Sequence, residues 1–232
     1  MIGQEYALLE RSLPDDHAKI SAAQDMILEA YREAPDRTLD LLDFGCGAGD
    51  AIDFFADALP GARYHGVDIE GSPEVSSRTR ADADFRSYDG RTLPYDDRSF
   101  DLVYTRQVFE HVRHPDVVSR EILRVLRPGG LFVGSMSNLE PYHSYSIFNF
   151  TPYGVFRLLD DNGFELMRLR PGPEGISLII RQLTLRRIGN FRLVYPAISL
   201  AALIKGWDVR RQNYLKMRFS GHICFIARVP EE

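Results

Sequence analysis

Residues 43–49 read Asp-Phe-Gly-Cys-Gly-Ala-Gly, three glycines at alternate positions behind an acid. Gly45, Gly47 and Gly49 can take positive φ and let the backbone approach a ligand that any Cβ would hold off. A dinucleotide turn wants its third glycine one residue later. That position is Asp50, whose carboxylate would face a pyrophosphate. Further on, Val67-Asp68-Ile69 puts an acid at the end of the next apolar run, where a carboxylate can accept both hydroxyls of a ribose. A tight turn with an unrelated surface aspartate is the plainer alternative. The order Asp43, three glycines, Asp68 favours a pocket for a nucleoside without a diphosphate.

A second set of residues suits proton transfer. His111, with Glu110 beside it, follows a further apolar run, and imidazole is a general base suited to neutral pH. Glu110-His111 reads equally well as a helix start bonded to its neighbours. The loop NLEPYHSYSIFNFTPY (138–153) crowds His143, a second candidate base, among Tyr142, Tyr145, Phe148, Phe150 and Tyr153. Those aromatics suit stacking on a sugar or lining an apolar pocket, and equally a self-packed lid. His65 and His222 fall inside strand-like runs and read as structural. His17 falls on an N-terminal helix expected over 15–33, begun by Asp15 and Asp16.

The elements that must position these groups alternate. LDLLDF leads into the glycine turn, and a helix striped by Ile52, Phe55, Ala56 and Leu59 ends at Pro60-Gly61. Strands follow over the run ending at Ile69 and over 84–89 and 100–105. A helix is expected from there to about Arg127, broken by Pro128-Gly129-Gly130, then a fifth strand over 131–137. Thr151-Pro152 opens another helix as N-cap and N1 residues, and Asn162-Gly163 closes it. Runs 164–170 and 217–229 read as two more strands, with two helices between them. Alternation of this kind means βαβ units and a doubly wound sheet with ligands at its carboxyl edge.

In order along residues 38–138, LLDFGCGAGD, HGVDIE, FRSYDGRTLPYDDRSFDLVYTRQVFEHV and EILRVLRPGGLFVGSMSN resemble successive motifs of class I S-adenosylmethionine-dependent methyltransferases, type 11. TPYGVFRLLDDNGF and RFSGHICFIAR resemble members found among sugar and surface-polysaccharide methyltransferases. The resemblance implies an α/β fold with a Rossmann-like seven-stranded sheet, an N-terminal helix and a helical insertion between the last two strands. It also implies S-adenosyl-L-methionine as cofactor and S-adenosyl-L-homocysteine as product. By position, Gly45, Gly47 and Gly49 cradle the amino-acid part and Asp43 supports their loop. Asp68 takes the ribose hydroxyls and Ile69 packs on the adenine. Asp89 contacts the adenine amino group with Gly90 alongside, and Arg106 and Gln107 sit near the methionine part. Some related enzymes hold a divalent metal with Glu-x-x-Glu-His; here Gln107 replaces the first acid, and no metal is expected. No Asn-Pro-Pro-Tyr-type motif for amine acceptors is present, which tilts the expected acceptor atom towards oxygen, on a small molecule or glycan. The rivals are a non-catalytic cofactor-binding scaffold and a nicotinamide dehydrogenase, the latter disfavoured by Asp50.

The 232 residues are 44% hydrophobic and 26% charged, which fits one large globular domain or one domain with additions and excludes a disordered chain. A net charge of −5 argues against a nucleic-acid partner. The charge is uneven. Residues 171–216 hold eight Lys/Arg against Glu174 and Asp208, a formal +6 against −11 on the remainder. Apolar helices edged this way suit a peripheral membrane contact, an anionic or lipid-linked acceptor, a lid, or an ordinary extra layer. The expected organisation is a helical cap (1–37), a cofactor-binding core (38–170), a basic apolar helical insertion (171–216), and a last strand with tail (217–232). Cys46 and Cys224 lie far apart and match no zinc or dithiol spacing, and the start of the chain lacks a signal-peptide pattern. A cytoplasmic setting is the expectation.

Overall fold

The computed structural model describes residues 3–33, 36–141, 144–187 and 192–231. In chain order the elements are α1 (Glu5–Leu9), a 3-10 turn (Glu10–Ser12), α2 (Ala23–Ala30), β1 (Leu39–Phe44), α3 (Ile52–Ala58), β2 (Ala62–Ile69), α4 (Pro73–Ser76), β3 (Asp84–Tyr88) and β4 (Phe100–Arg106). A second 3-10 turn (Phe109–His111) leads to α5 (Pro115–Val125), β5 (Leu126–Ser137), α6 (Pro152–Asp160) and β6 (Glu165–Pro171). Then come α7 (Gly175–Leu183), α8 (Val194–Lys205), α9 (Val209–Met217) and β7 (His222–Arg228). The strands form one seven-stranded sheet in the order β3-β2-β1-β4-β5-β7-β6. The first five run parallel, and β7 is antiparallel to both its neighbours.

Period-two alternation sends each strand's apolar residues to two cores. Leu42, Phe44, Val103 and Phe132 pack with Val118 and Ile122 of α5 and with Val155 and Leu159 of α6. Leu41, Leu102, Tyr104 and Val133 pack with Met26 and Ile27 of α2 and with Phe55 of α3. Strand order reverses between β1 and β4, so the crevice at their carboxyl ends is the expected ligand site of such a sheet.

Several sequence expectations need correction. The helix expected over 15–33 exists only as α2. Asp16 does not start it; the Asp16 carboxylate is drawn 2.8 Å from the buried guanidinium of Arg170, which also binds Glu29 at 2.8 Å. The Arg170 hydrogen bonds hold the Asp16 carboxyl down at about 2, against burial. His17 therefore lies outside any helix. The helix after β4 is split because Pro115, lacking an N–H, sits at its first turn rather than inside it. It stops at Val125, before Pro128-Gly129-Gly130, because Arg98 N and Ser99 N capture the Arg124 and Val125 carbonyls and Leu126 joins the sheet. Among the described residues three helices, not two, lie between β6 and β7, and Met217 ends α9 rather than opening the last strand. Among the described residues no helix is long and apolar enough to cross a membrane.

Candidate functional site

The glycine turn caps β1 at the sheet's carboxyl edge. Gly45, Gly47 and Gly49 have φ of 78°, 51° and 88°. A Cβ on Gly45 would lie 2.2 Å and 2.7 Å from the two methyls of Val108. This glycine is therefore what lets the loop after β4 close on the loop after β1. Asp68, at the end of β2, accepts from Gly47 N and from Ile69 N, each at 2.7 Å. Burial pushes the Asp68 carboxyl above its ordinary value against those two hydrogen bonds. Ile69 is 47% exposed, an apolar side chain left open at the cleft. Its pairing with Tyr88 places Asp89 and Gly90 just beyond it. Asp89 Oδ1 accepts from Arg91 N at 2.8 Å and Thr92 N at 2.7 Å, which hold its carboxyl below the ordinary range.

Asp43 is buried beneath this turn and accepts from Tyr64 Oη at 2.5 Å. Burial raises its carboxyl to about 7, although the Tyr64 hydrogen bond and the charge of Arg106 act the other way. Sequence reasoning missed Arg78. Its guanidinium donates to Gly47 O at 2.8 and 2.5 Å and stacks 4.0 Å from the Phe85 ring centroid. The one-turn helix α4 swings the following chain back over the glycine turn, and no local motif signals that return.

Thus Asp43, the three glycines, Asp68, Ile69, Asp89 and Gly90 share one edge of the sheet. Open backbone, a part-buried acid and an exposed aliphatic suit the amino-acid tail, ribose and base of a nucleoside with a short zwitterionic arm. The donor set thus fits S-adenosylmethionine. Arg106 ends β4 on the exposed side.

Gln107 turns into a polar cluster. At φ 55° it sits in the left-handed region, which a side-chain-bearing residue rarely adopts. Its amide lies 2.6 Å from His222 Nδ1, 3.0 Å from Glu140 Oε1 and 3.3 Å from Ser137 Oγ. Glu140 Oε2 meets His222 Nδ1 at 2.9 Å, and Ser137 Oγ touches both Glu140 Oε1 and, at 2.5 Å, Glu110 Oε1. Because β7 is antiparallel, its first residue reaches this edge, paired with Ser137. His222, read from its strand as structural, thereby joins a polar cluster at the mouth of the sheet. Glu110 is fully buried, in the short turn that also holds His111. Its carbonyl accepts from Ile147 N at 2.6 Å and Phe148 N at 3.1 Å, which ties the loop after β5 over β4. His143 and Tyr142 lie outside the described residues; of the loop's other aromatics, Tyr145 is 84% exposed.

Beside this cluster opens a cavity of about 840 Å³ whose lining includes Gln107, Glu140 and His222 as well as Arg181, Arg186 and Arg192. Gln107 and Val108 are consecutive, one facing this cavity and the other the glycine turn. The cavity therefore abuts the nucleoside cleft.

Comparisons with known proteins agree with this fold. A family model described as "Methyltransferase domain" matches residues 42–134. The ubiquinone/menaquinone biosynthesis C-methyltransferase UbiE of Paracoccus denitrificans is 33% identical over 196 residues, covering 76% of each chain. A "Probable S-adenosylmethionine-dependent methyltransferase" of Mycolicibacterium smegmatis is 34% identical over 139 residues, 55% of this chain and 52% of that one. The chain spans about half the length, or less, of several curated relatives it matches. Among solved structures, the [4+2]-cyclase SpnF superposes with a TM-score of 0.63 at 20% identity, over 99% of this chain and 95% of that one. The motifs in order, the strand order and a relative aligned over three-quarters of both chains place this protein in the class I S-adenosylmethionine-dependent methyltransferases.

Proposed function

We propose that this protein transfers a methyl group from S-adenosylmethionine to a hydroxyl of a small-molecule or glycan acceptor that also carries an anionic group. The cavity carries this reading, because it adjoins the nucleoside cleft through Gln107 and is faced by three arginines. Arg181 and Arg186 lie on α7 and just beyond it, in the segment where positive charge is concentrated. A guanidinium fork recognises carboxylate or phosphate, and a cavity of this size suits a small acceptor or a terminal sugar.

When bound, the cofactor supplies an electrophilic methyl on a sulfonium. The chain's part is to hold the acceptor oxygen in line and shield it, since orientation alone can be worth about 7–11 kcal/mol in favourable cases. Methyl transfer to carbon is a second reading, favoured by the relative whose name is that of a C-methyltransferase. A ring carbon made nucleophilic by a neighbouring hydroxyl would use the same cavity and the same deprotonation.

The test is transfer of a labelled methyl to matched probes, glucuronic acid against glucose and 4-hydroxybenzoate against phenol. The anionic member of at least one pair is expected to show roughly tenfold higher kcat/KM. Arg181→Gln combined with Arg186→Gln should remove that preference, a change of about 1.4 kcal/mol. Equal turnover of both members would refute the anionic requirement. Cofactor binding with no transfer to any probe would favour a non-catalytic binding protein.

A further inference from the structure

We infer that helices α7 and α8 dock on an anionic lipid surface, their exposed aliphatic residues entering the headgroup layer and the cations beside them meeting the lipid charges. This surface lies outside the methyl-transfer reading and does not depend on it.

Helix α8, VYPAISLAALIK, carries one charge in twelve residues, Lys205. A helix apolar on all sides is ordinarily buried on all sides. Here only Tyr195 and Ala202, about two turns apart, are buried. They attach the helix to the body, with Tyr195 Oη donating to Gly172 O at 2.8 Å. Leu200, Leu203 and Ile204 share the face turned away from that attachment, the last two 81% and 75% exposed. Helix α7 repeats the pattern. Ile176, Ile179 and Leu183, spaced three and four residues apart, are all exposed, Leu183 to 78%. The two helices are tied at their starts, because Glu174, directly before α7, accepts from the backbone N–H groups of Leu193, Val194 and Tyr195 at 2.7–3.0 Å. Exposed apolar residues grouped inside a polar rim mark an interaction surface.

The rim is cationic. Among the described residues Arg181, Arg186, Arg187, Arg192 and Lys205 are in no ion pair, whereas Arg63, Arg80, Arg124, Arg127 and Arg170 each hold a carboxylate. Trp207 follows the glycine that ends α8, with Lys205 Nζ and Arg211 Cζ each 5.2 Å from its ring centroid. An indole flanked by cations at the end of an apolar helix is the composition of a membrane-interface anchor.

Charge and shape decide the occupant. A second copy docking by the same face would set these cations against themselves, since a two-fold contact pairs a patch with its own copy. A neutral apolar partner would leave the cations without counter-charge. Leu203 and Ile204, three-quarters or more exposed, project from the surface instead of lining a groove, which suits a soft and fluid partner. An anionic bilayer supplies aliphatic depth and negative charge together, and long Arg and Lys side chains reach its phosphates while the leucines enter the acyl boundary. At nine and twelve residues against about 20 needed to span, α7 and α8 rest on such a surface and do not cross it. Leu185, 79% exposed just beyond α7, also lines the cavity beside Gln107, so the docking face adjoins that cavity.

Cosedimentation of the full chain with vesicles tests this, using phosphatidylcholine alone and phosphatidylcholine with one-third phosphatidylglycerol. The anionic vesicles are expected to bind at least about tenfold more tightly, with the difference shrinking at high salt. Leu203→Glu combined with Ile204→Glu should weaken that binding at least about tenfold, and so should Arg187→Glu combined with Lys205→Glu. Both variants should keep the wild-type unfolding temperature and affinity for S-adenosylhomocysteine, because these side chains are exposed and away from the glycine turn; this separates lost docking from lost fold. Equal binding to the two vesicles, or full binding by the Leu203→Glu, Ile204→Glu variant, would overturn the proposal. Binding to neither would overturn it as well, and capture of polyglutamate in that case would assign the face to an acidic polypeptide. A dimer in sedimentation velocity that the same variant dissolves, without vesicle binding by the wild type, would assign it to a second copy. Vesicle binding is measured without cofactor or acceptor, so its failure leaves the methyl-transfer reading standing, and a failure of methyl transfer leaves the docking face standing.

Discussion

Gly45→Ala should abolish cofactor binding, with S-adenosylhomocysteine affinity falling at least about 100-fold, or 2.7 kcal/mol. The added methyl would lie 2.2 Å from one Val108 methyl, 2.7 Å from the other and 3.0 Å from Val108 Cβ. Rotating the valine therefore offers no escape. The residue also sits at φ 78°, where an alanine costs about 1–2 kcal/mol by itself. Loop 45–49 and the loop after β4 must then separate, which parts the floor of the nucleoside cleft from the wall it shares with the acceptor cavity. Calorimetry reads the affinity and thermal unfolding reads the strain. A variant carrying alanine here with wild-type affinity would mean that the turn does not cradle the ligand. Val108→Ala should restore part of the loss by making room, but not the part due to φ.

Asp43→Asn should change the pH dependence of stability in the protein without cofactor. The Asp43 carboxyl titrates at about 7 when folded, because of burial, and near 3.8 when unfolded. A folded value raised in this way means that the native state holds a proton that the unfolded state has released. The associated stability is complete below about pH 4 and is lost as pH rises through 7. Between pH 5 and 8 the loss amounts to about 2–3 kcal/mol. Asparagine keeps an oxygen to accept from Tyr64 and removes the titration. The difference in unfolding free energy between variant and wild type should thus move in the variant's favour by that amount over this range, measured by urea denaturation at the two pH values. A difference that stays flat would mean that Asp43 is ionised at little cost, and the turn would then rest on a charged rather than a partly protonated aspartate near neutral pH.

The cleft we assign to the cofactor was legible because it is local. Gly45, Gly47 and Gly49 mark positive-φ positions within one turn, and Asp68 and Asp89 each end a strand whose apolar pattern is plain. The polar cluster beside it was not legible because it is assembled across the sheet. Ser137 ends β5 and Glu140 follows it, Gln107 follows β4, and His222 opens β7. The sequence suggests that His222 is structural because a histidine inside a strand usually is. Its place at the functional edge follows only from β7 running antiparallel between β5 and β6. The same limit explains the N-terminal error. Asp15 and Asp16 have the chemistry of helix starters, but the buried Arg170, more than 150 residues away, takes Asp16, and the helix begins only at Ala23.

The basic stretch 171–216 stands out in the sequence by its charge. Its last helix is bound to the N-terminal segment: Asn213 donates to Pro14 O and His17 O, and Lys216 donates to Ala18 O. Arg181, Arg186 and Arg192 meanwhile face the cavity beside Gln107 and His222. The charge asymmetry therefore marks a wall of the site we assign to the acceptor.

The most direct test of the central claim is calorimetric titration of the wild-type protein with S-adenosylhomocysteine and with NAD, repeated for Asp68→Ala. The account expects S-adenosylhomocysteine to bind with one site per chain, NAD to give no saturable heat, and Asp68→Ala to weaken the first about 10–100-fold through loss of the ribose contacts. NAD binding in preference to S-adenosylhomocysteine, or an unchanged affinity in Asp68→Ala, would contradict it.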